Sequence, residues 1–207
     1  MPYSNSAPQP VGRLVEAFQR LPGIGPKSAQ RITYHLISMK REECEELAAA
    51  TIGIKESLII CKQCMNVSER PICNICDDNQ RDQTTICVVE EPLNVIAIER
   101  SRSYSGLFHV LHGVISPVQG IGPEDLKISE LIDRITKNKI KELIIATNPT
   151  LLGEATASFI RDSLSNIDIE ITRLARGLPS GSDIEYVDDS TLGYALNSRA
   201  SIKIDVE

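Results

Sequence analysis

Four cysteines fall in two close pairs, Cys61-Lys62-Gln63-Cys64 and Cys73-Asn74-Ile75-Cys76, with eight residues between the pairs. A two-residue spacer lets two thiolates grip one side of a tetrahedral ion, and the second pair closes the other side. All four positions are then protein sulfur, so the ion would hold structure and leave no open place for water or substrate. Two disulfides or a thiol redox pair would draw on the same residues. A redox pair normally stands alone beside a βαβ pattern. Here two pairs face each other, and the spacing predicts one structural Zn2+ per chain.

The second chemistry is phosphate binding. The segment Leu21-Pro22-Gly23-Ile24-Gly25-Pro26-Lys27-Ser28-Ala29 sets a Gly-hydrophobic-Gly turn between two helical patterns, a helix-hairpin-helix signature. Glycines let backbone amides approach a phosphate, and the second helix aims its N-terminal amides at the same anion. Lys27 and Arg31 are four apart, hence on one helix face, where they would neutralise neighbouring phosphates. Such contacts position a protein on DNA without reading its sequence. The bland alternative is a tightly packed helical turn with a solvated basic face; the flanking apolar spacing and local charge favour DNA. Aromatic content of 4% with no Trp argues against a stacking platform for single strands. Other groups offer less. His109 and His112 point to opposite faces of a strand-like segment and are poor joint ligands. No Gly-x-x-x-x-Gly-Lys-Ser/Thr loop occurs, and Tyr186 and Tyr194 are not credible nucleophiles, since no base or metal cluster is evident.

These groups need elements to hold them. A chain of 207 residues, 42% hydrophobic and 24% charged, reads as one main globular domain with smaller modules attached. No apolar run approaches the roughly 20 residues that cross a bilayer. Met1-Pro2-Tyr3-Ser4-Asn5-Ser6 lacks the basic and apolar regions of a signal peptide, so six cysteines point to a reducing cytoplasm. Cys44 and Cys87 read as buried small residues. The net charge of −6 is unevenly spread. Residues 1–41 carry Arg13, Arg20, Lys27, Arg31, Lys40 and Arg41 against Glu16 alone. Residues 177–207 carry Asp183, Glu185, Asp188, Asp189, Asp205 and Glu207 against Arg199 and Lys203. One end is suited to polyanions, and the other to protein or to keeping DNA away from its own surface.

Apolar spacing predicts helices over residues 11–20 (Leu14, Val15, Phe18), from Pro26 onward (Ala29, Ile32, Leu36) and over 42–54, with Leu47, Ala48 and Thr51 facing inward. A short strand at 58–60 leads into the loop-rich cysteine segment. After Asp82 strands alternate with helices: strands at 86–90, 107–111, 142–147 and 169–174, helices at 92–100, 123–138 and 154–164. The helix at 123–138 should bury Leu126, Leu131, Ile132 and Ile135. That order predicts a parallel α/β sheet with right-handed crossovers. A short helix near 190–198, capped by Asp189 or Ser190, and a last strand at 202–206 complete the chain. The predicted regions are 1–55, helix-hairpin-helix; 56–80, four-cysteine zinc finger; 81–176, α/β body; and 177–207, a self-association segment.

The hairpin, the four cysteines, Val88-Val89-Glu90-Glu91, Tyr104-Ser105-Gly106, Phe108-His109-Val110-Leu111, Ile121-Gly122-Pro123, Ala146-Thr147-Asn148-Pro149-Thr150 and Leu174-Ala175-Arg176-Gly177-Leu178-Pro179-Ser180-Gly181 together resemble the RecR family over nearly the whole chain. The resemblance implies that the α/β body is a Toprim domain. Toprim enzymes that move phosphodiester bonds use a Glu after the first strand and an Asp-x-Asp after a later one to hold magnesium. Here the Glu matches Glu90, with Glu91 beside it, and the Asp-x-Asp falls on neutral Asn148 and Thr150. Glu154 remains nearby, but Leu152 stands where relatives commonly have a Glu. The expectation is therefore no catalysis, with Glu90, Glu91 and Glu154 as partner-binding remnants; Glu90 would otherwise cap the next helix or pair with a base. Residues 184–189 resemble the family's Walker B-like stretch and, without a P-loop, would serve an interface or a cap. The resemblance further implies a cytoplasmic, nucleoid-associated recombination mediator. It would form a ring, by family likeness a tetramer, and join RecO or RecF to help RecA replace single-strand-binding protein on gapped DNA. A metal-dependent Toprim nuclease and a purely protein-binding adaptor are the alternatives.

Overall fold

The computed structural model describes residues 7–199 and divides into two compact units between Leu58 and Ile59. The expected last strand at 202–206, with Lys203, Asp205 and Glu207, and the hexapeptide at the N-terminus lie outside the described residues.

The first unit is helical. Helices α1 (Gln9–Gln19) and α2 (Pro26–Ser38) close on Val15, Ala29 and Thr33, all buried. Thr33 tolerates burial because its hydroxyl donates to the Ala29 carbonyl at 2.9 Å. Between the helices, Gly23 takes φ +78°, a left-handed conformation that a side chain would strain. Pro26 then starts α2 at the first-turn position, where its missing N–H costs nothing. Helix α3 (Arg41–Ser57) is held at its start by Glu43, whose carboxylate accepts from the Lys40 amide at 3.0 Å. The expected inward face of α3 is not there: Leu47, Ala48 and Thr51 are exposed, and no residue of this helix is buried. Its apolar positions have helical spacing but meet no apolar layer within this unit, and the Thr51 hydroxyl is satisfied by the Leu47 carbonyl of its own helix.

The second unit opens with a two-stranded antiparallel ribbon, β1 (Ile59–Ile60) and β2 (Val67–Ser68), and the short helix α4 (Asn74–Asp77). A four-stranded parallel sheet follows, built from β3 (Asp82–Val89), β4 (Gly106–Val110), β5 (Glu142–Ile145) and β6 (Glu170–Arg173) in the spatial order β4-β3-β5-β6. Strand β3 alternates across the sheet. Ile86 and Val88 join Leu107, Leu143 and Ile145 in a core covered by α6 (Ile128–Lys137) and α7 (Leu151–Ser163). Cys87 and Val89 join Phe108 and Val110 on the opposite face, together with Val95 of α5 (Pro92–Ser101). With both faces covered, the central stretch of β3, Ile86 to Val89, is apolar and buried on both sides, as expected in a parallel sheet. The chain leaves β3 for β4 on one side and then crosses to β5 on the other, so the strand order reverses between β3 and β5. Ligand crevices of open α/β sheets lie at the carboxyl ends of strands at such a point.

Several boundaries differ from the sequence reading, β3 starting four residues early at Asp82, and three helix starts differ for a visible local cause. The helix expected over 123–138 is interrupted: a 3-10 turn (Pro123–Asp125) ends at extended Leu126, and α6 starts at Ile128. The break is fastened by the Lys127 amide, which donates to the Leu111 carbonyl, and by the Lys127 carbonyl, which accepts from His109. Helix α7 begins three residues before Glu154, because the Thr150 hydroxyl accepts from the Gly153 amide. The last helix, α8 (Asp189–Asn197), is capped by Asp188, whose carboxylate accepts from the Thr191 amide at 2.9 Å, and not by Asp189 or Ser190.

Candidate functional site

The hairpin presents an uncapped helix end. No side chain caps α2, whose cap position is Gly25, so its first amides are open to an anion. Gly23 and Gly25 lie at the surface, and Lys27 and Arg31 project from α2, both exposed. The basic groups predicted from spacing thus share one helix face beside the glycine turn.

The four cysteine sulfurs converge, all lying within 4.8 Å of one another. The left-handed backbone of Met65 (φ +59°) turns the chain so that its amide donates to the Cys61 carbonyl. The Cys73 amide donates to Cys61 Sγ at 3.3 Å. Cys73 caps α4, whose single turn brings Cys76 round beside it. Hydrogen bonding between Cys64 and Cys73, 3.5 Å apart, holds the Cys73 thiol far below the ordinary range and Cys64 far above it. At Cys76 the bond with Cys64 lowers the pKa, but the bond with Cys73 and burial outweigh it and push it up to about 12. Four convergent soft donors that resist losing all their protons together suit a thiophilic cation, whose charge replaces those protons. Cys44 and Cys87 stand apart, half-buried and buried.

The cysteine segment is fastened to the α/β sheet. The Val110 amide donates to the Cys64 carbonyl at 2.8 Å, and His112 Nε2 meets the Met65 carbonyl at 2.6 Å. His109 faces elsewhere: it is fully buried, with Nε2 2.7 Å from the Lys127 carbonyl. The two histidines share no ligand position.

At the carboxyl ends of β3 and β5 the acids are engaged internally. Glu90 is only 8% exposed, and Asn148 serves both its oxygens: the backbone amide donates to Oε1 at 2.7 Å and the side-chain amide to Oε2 at 2.5 Å. Val88 pairs with Ile145, so the segments that leave the two strand ends side by side bring Glu90 and Asn148 together. Gly153 completes the packing; a Cβ there would run into the Asn148 carbonyl and sit 3.0 Å from Glu90 Oε1. Thr150 is occupied as the cap of α7. Glu91 is exposed at the start of α5, where its amide donates to Asn94. Glu154 lies apart from Glu90 and is gripped by Arg173 and Arg176; the Arg173 bond, chiefly, holds its carboxyl below the usual range. Arg176 also lies over the Tyr194 ring at 5.0 Å, tying α8 to the same cluster.

Asn148, Gly153, Arg173 and Arg176 were not among the site residues read from sequence. Asn148 was read there only as a missing acid. The two arginines stand three apart at the end of a strand, and only the strand order brings them to Glu154.

Comparison with known proteins matches three segments of the chain. Residues 84–175 match the family model of the Toprim domain, residues 11–52 that of the RecR helix-hairpin-helix, and residues 177–199 that of the RecR C-terminal region. Recombination protein RecR of Herpetosiphon aurantiacus is 50% identical over 197 residues, covering 95% of this chain and 97% of its own. The same-named protein of Staphylococcus haemolyticus is 48% identical over 195 residues, covering 94% and 98%. That of Heliobacterium modesticaldum is 46% identical over 194 residues, again covering 94% and 98%.

Proposed function

The chain belongs to the RecR family of recombination proteins, and from that membership we propose that it is a DNA-binding mediator of recombinational repair and not an enzyme. It acts as an oligomeric clamp that joins RecO or RecF at gapped DNA and helps RecA displace single-strand-binding protein. The observation that carries this reading is the state of Glu90. A phosphoryl-transfer Toprim site needs open carboxylates converging on magnesium. Here the one acid at that place is buried, and both its oxygens are taken by a neutral Asn148.

Sequence-independent DNA contact belongs to Gly23, Gly25, Lys27 and Arg31, through open amides and two cations on one face. Partner contact belongs to the acidic remnant, with Glu91 as its exposed member; Glu90 and Glu154 shape that surface through Asn148 and the two arginines. The four cysteines hold one Zn2+, the tetrahedral ion that thiolate sets of this spacing select, and it supplies structure only. Self-association, in a ring of four by family likeness, is supported by the uncovered apolar side chains of α3, including Leu47, Ile52 and Ile54. Among the described residues no helix is long and apolar enough to cross a membrane.

Two assays test the proposal together. Purified protein with Mg2+ should leave supercoiled plasmid intact and, with RecO added, should speed RecA assembly on gapped DNA coated with single-strand-binding protein. Mg2+-dependent nicking that disappears in Glu90→Gln would show an enzyme instead.

A further inference from the structure

Arg134 lies outside every motif used so far. It sits in α6, on the α/β body, and is half-buried. Its Nη1 donates to the Phe108 carbonyl of β4 at 2.6 Å, and its Nη2 reaches Cys76 Sγ at 4.0 Å. Among the described residues no carboxylate pairs with it, although most other partly buried arginines have one. A half-buried guanidinium without a carboxylate is costly unless another anion compensates it. The anion within reach is the sulfur cluster. Four thiolates around one divalent ion carry a net charge of −2, and among the described donors aimed at cluster sulfurs, the Cys73 amide included, Arg134 is the one that carries a positive charge.

We propose that Arg134 is the charge-compensating partner of the four-cysteine metal centre, a positioning residue outside the ligand set that ties the metal to the α/β sheet. It donates to the Cys76 sulfur and draws charge from it, so that this thiolate is held in place beside the ion. Through Phe108 the same side chain is anchored on β4, the strand whose Val110 amide holds the Cys64 carbonyl. Each cysteine pair is thus fastened to the same edge of the sheet, the first by a backbone bond and the second by a charge. Partners of metal ligands commonly change metal affinity about 10–100-fold when removed. This inference rests on the centre holding a tetrahedral metal.

The test uses the full chain, comparing wild type with Arg134→Gln and Arg134→Lys, each checked for native circular dichroism and zinc content. Zinc release to a colorimetric chelator should be about 10-fold faster in Arg134→Gln. It should be intermediate in Arg134→Lys, because one ammonium cannot serve both Phe108 and Cys76. With Co2+ in place of zinc, the sulfur-to-metal charge-transfer band of Arg134→Gln should move to longer wavelength, since an unbonded thiolate gives up its electrons more readily. Folded variants that release zinc at the wild-type rate with an unmoved cobalt band would overturn the proposal. If Arg134→Gln does not fold, the decision falls to Arg134→Lys, for which an unchanged rate overturns it. A wild-type chain that takes up no zinc or cobalt would instead sink the metal reading beneath it.

Discussion

Asn148→Asp restores an acid where phosphoryl-transferring Toprim sites have one, and its cost follows from the contacts of Glu90. The substitution removes the side-chain amide that donates to Glu90 Oε2 at 2.5 Å while leaving the backbone donor to Oε1. A hydrogen bond to a charged group contributes about 1.5–3 kcal/mol. The new carboxylate would stand near Glu90 and repel it by about 4 kcal/mol at an effective dielectric of about 20. Residue 148 is exposed, so water and proton uptake relieve much of that repulsion. A net loss of about 2–4 kcal/mol, or roughly 6–12 °C in Tm, is expected from thermal unfolding at pH 7.5 without divalent ions. Two facing carboxylates also make a rudimentary magnesium site. With a Kd near 1 mM, 10 mM Mg2+ would return about 1.4 kcal/mol. Asn148→Ala should lose a similar hydrogen bond but gain nothing from Mg2+. If Asn148→Asp were as stable as wild type, Asn148 would not be what keeps Glu90 inward, and the proposed reason for an inactive acid site would fail.

Three further outcomes follow from the same geometry. Gly153→Ala should cost about 2–4 kcal/mol in denaturant unfolding, since its Cβ meets the Asn148 carbonyl; wild-type stability would show that the α7 turn has room to spare. Cys64→Ser should lose the bound metal and about 3–5 kcal/mol of stability, with hydrogen exchange rising at Val110, whose amide depends on the Cys64 carbonyl; lost metal with a still-protected Val110 would break that link. Burial pushes His109 down to about 4, with Arg134 and His112 adding to the effect and the Lys127 carbonyl and Glu130 opposing it. Its Nδ1 is buried without a partner, so a second proton has no acceptor. The unfolded chain therefore binds a proton near pH 6.5 that the folded chain refuses. Stability is full above that pH and falls toward pH 4, by roughly 3 kcal/mol. His109→Gln should flatten this slope in denaturant titrations at pH 7.5 and 5; an unchanged slope would assign the loss to other groups.

What the sequence made legible is what depends on near neighbours. The cysteine spacing pointed to a convergent four-sulfur set because the knuckle that closes it is built within a few residues of each pair. The Gly23-Ile24-Gly25-Pro26 turn was equally plain, since a left-handed glycine and a first-turn proline act locally. The alternation of strands and helices pointed to a parallel sheet, but its order β4-β3-β5-β6 is a property of the assembled unit. For that reason the Glu90–Asn148 pair, 58 residues apart, was seen only as a missing acid and not as a bond. Leu47, Ala48 and Thr51 mark the opposite failure: helical spacing identifies an apolar face but not whether the same unit covers it. The break before α6 was hidden because it is fixed by Leu111 and His109, from the neighbouring strand segment, and not by its own residues.

The central claim is that the basic face of α2 grips DNA phosphates while the Toprim body does no chemistry on them. Equilibrium binding of gapped DNA across a salt series, for wild type and the double variant Lys27→Glu/Arg31→Glu, tests it most directly. Wild-type affinity should fall steeply and linearly in log K against log salt, at about 0.9 per phosphate contacted. The variant should bind at least about 100-fold more weakly at low salt with a much shallower slope, with zinc content and fold unchanged. Affinity and slope equal to wild type would contradict the claim and leave the hairpin as a packing element.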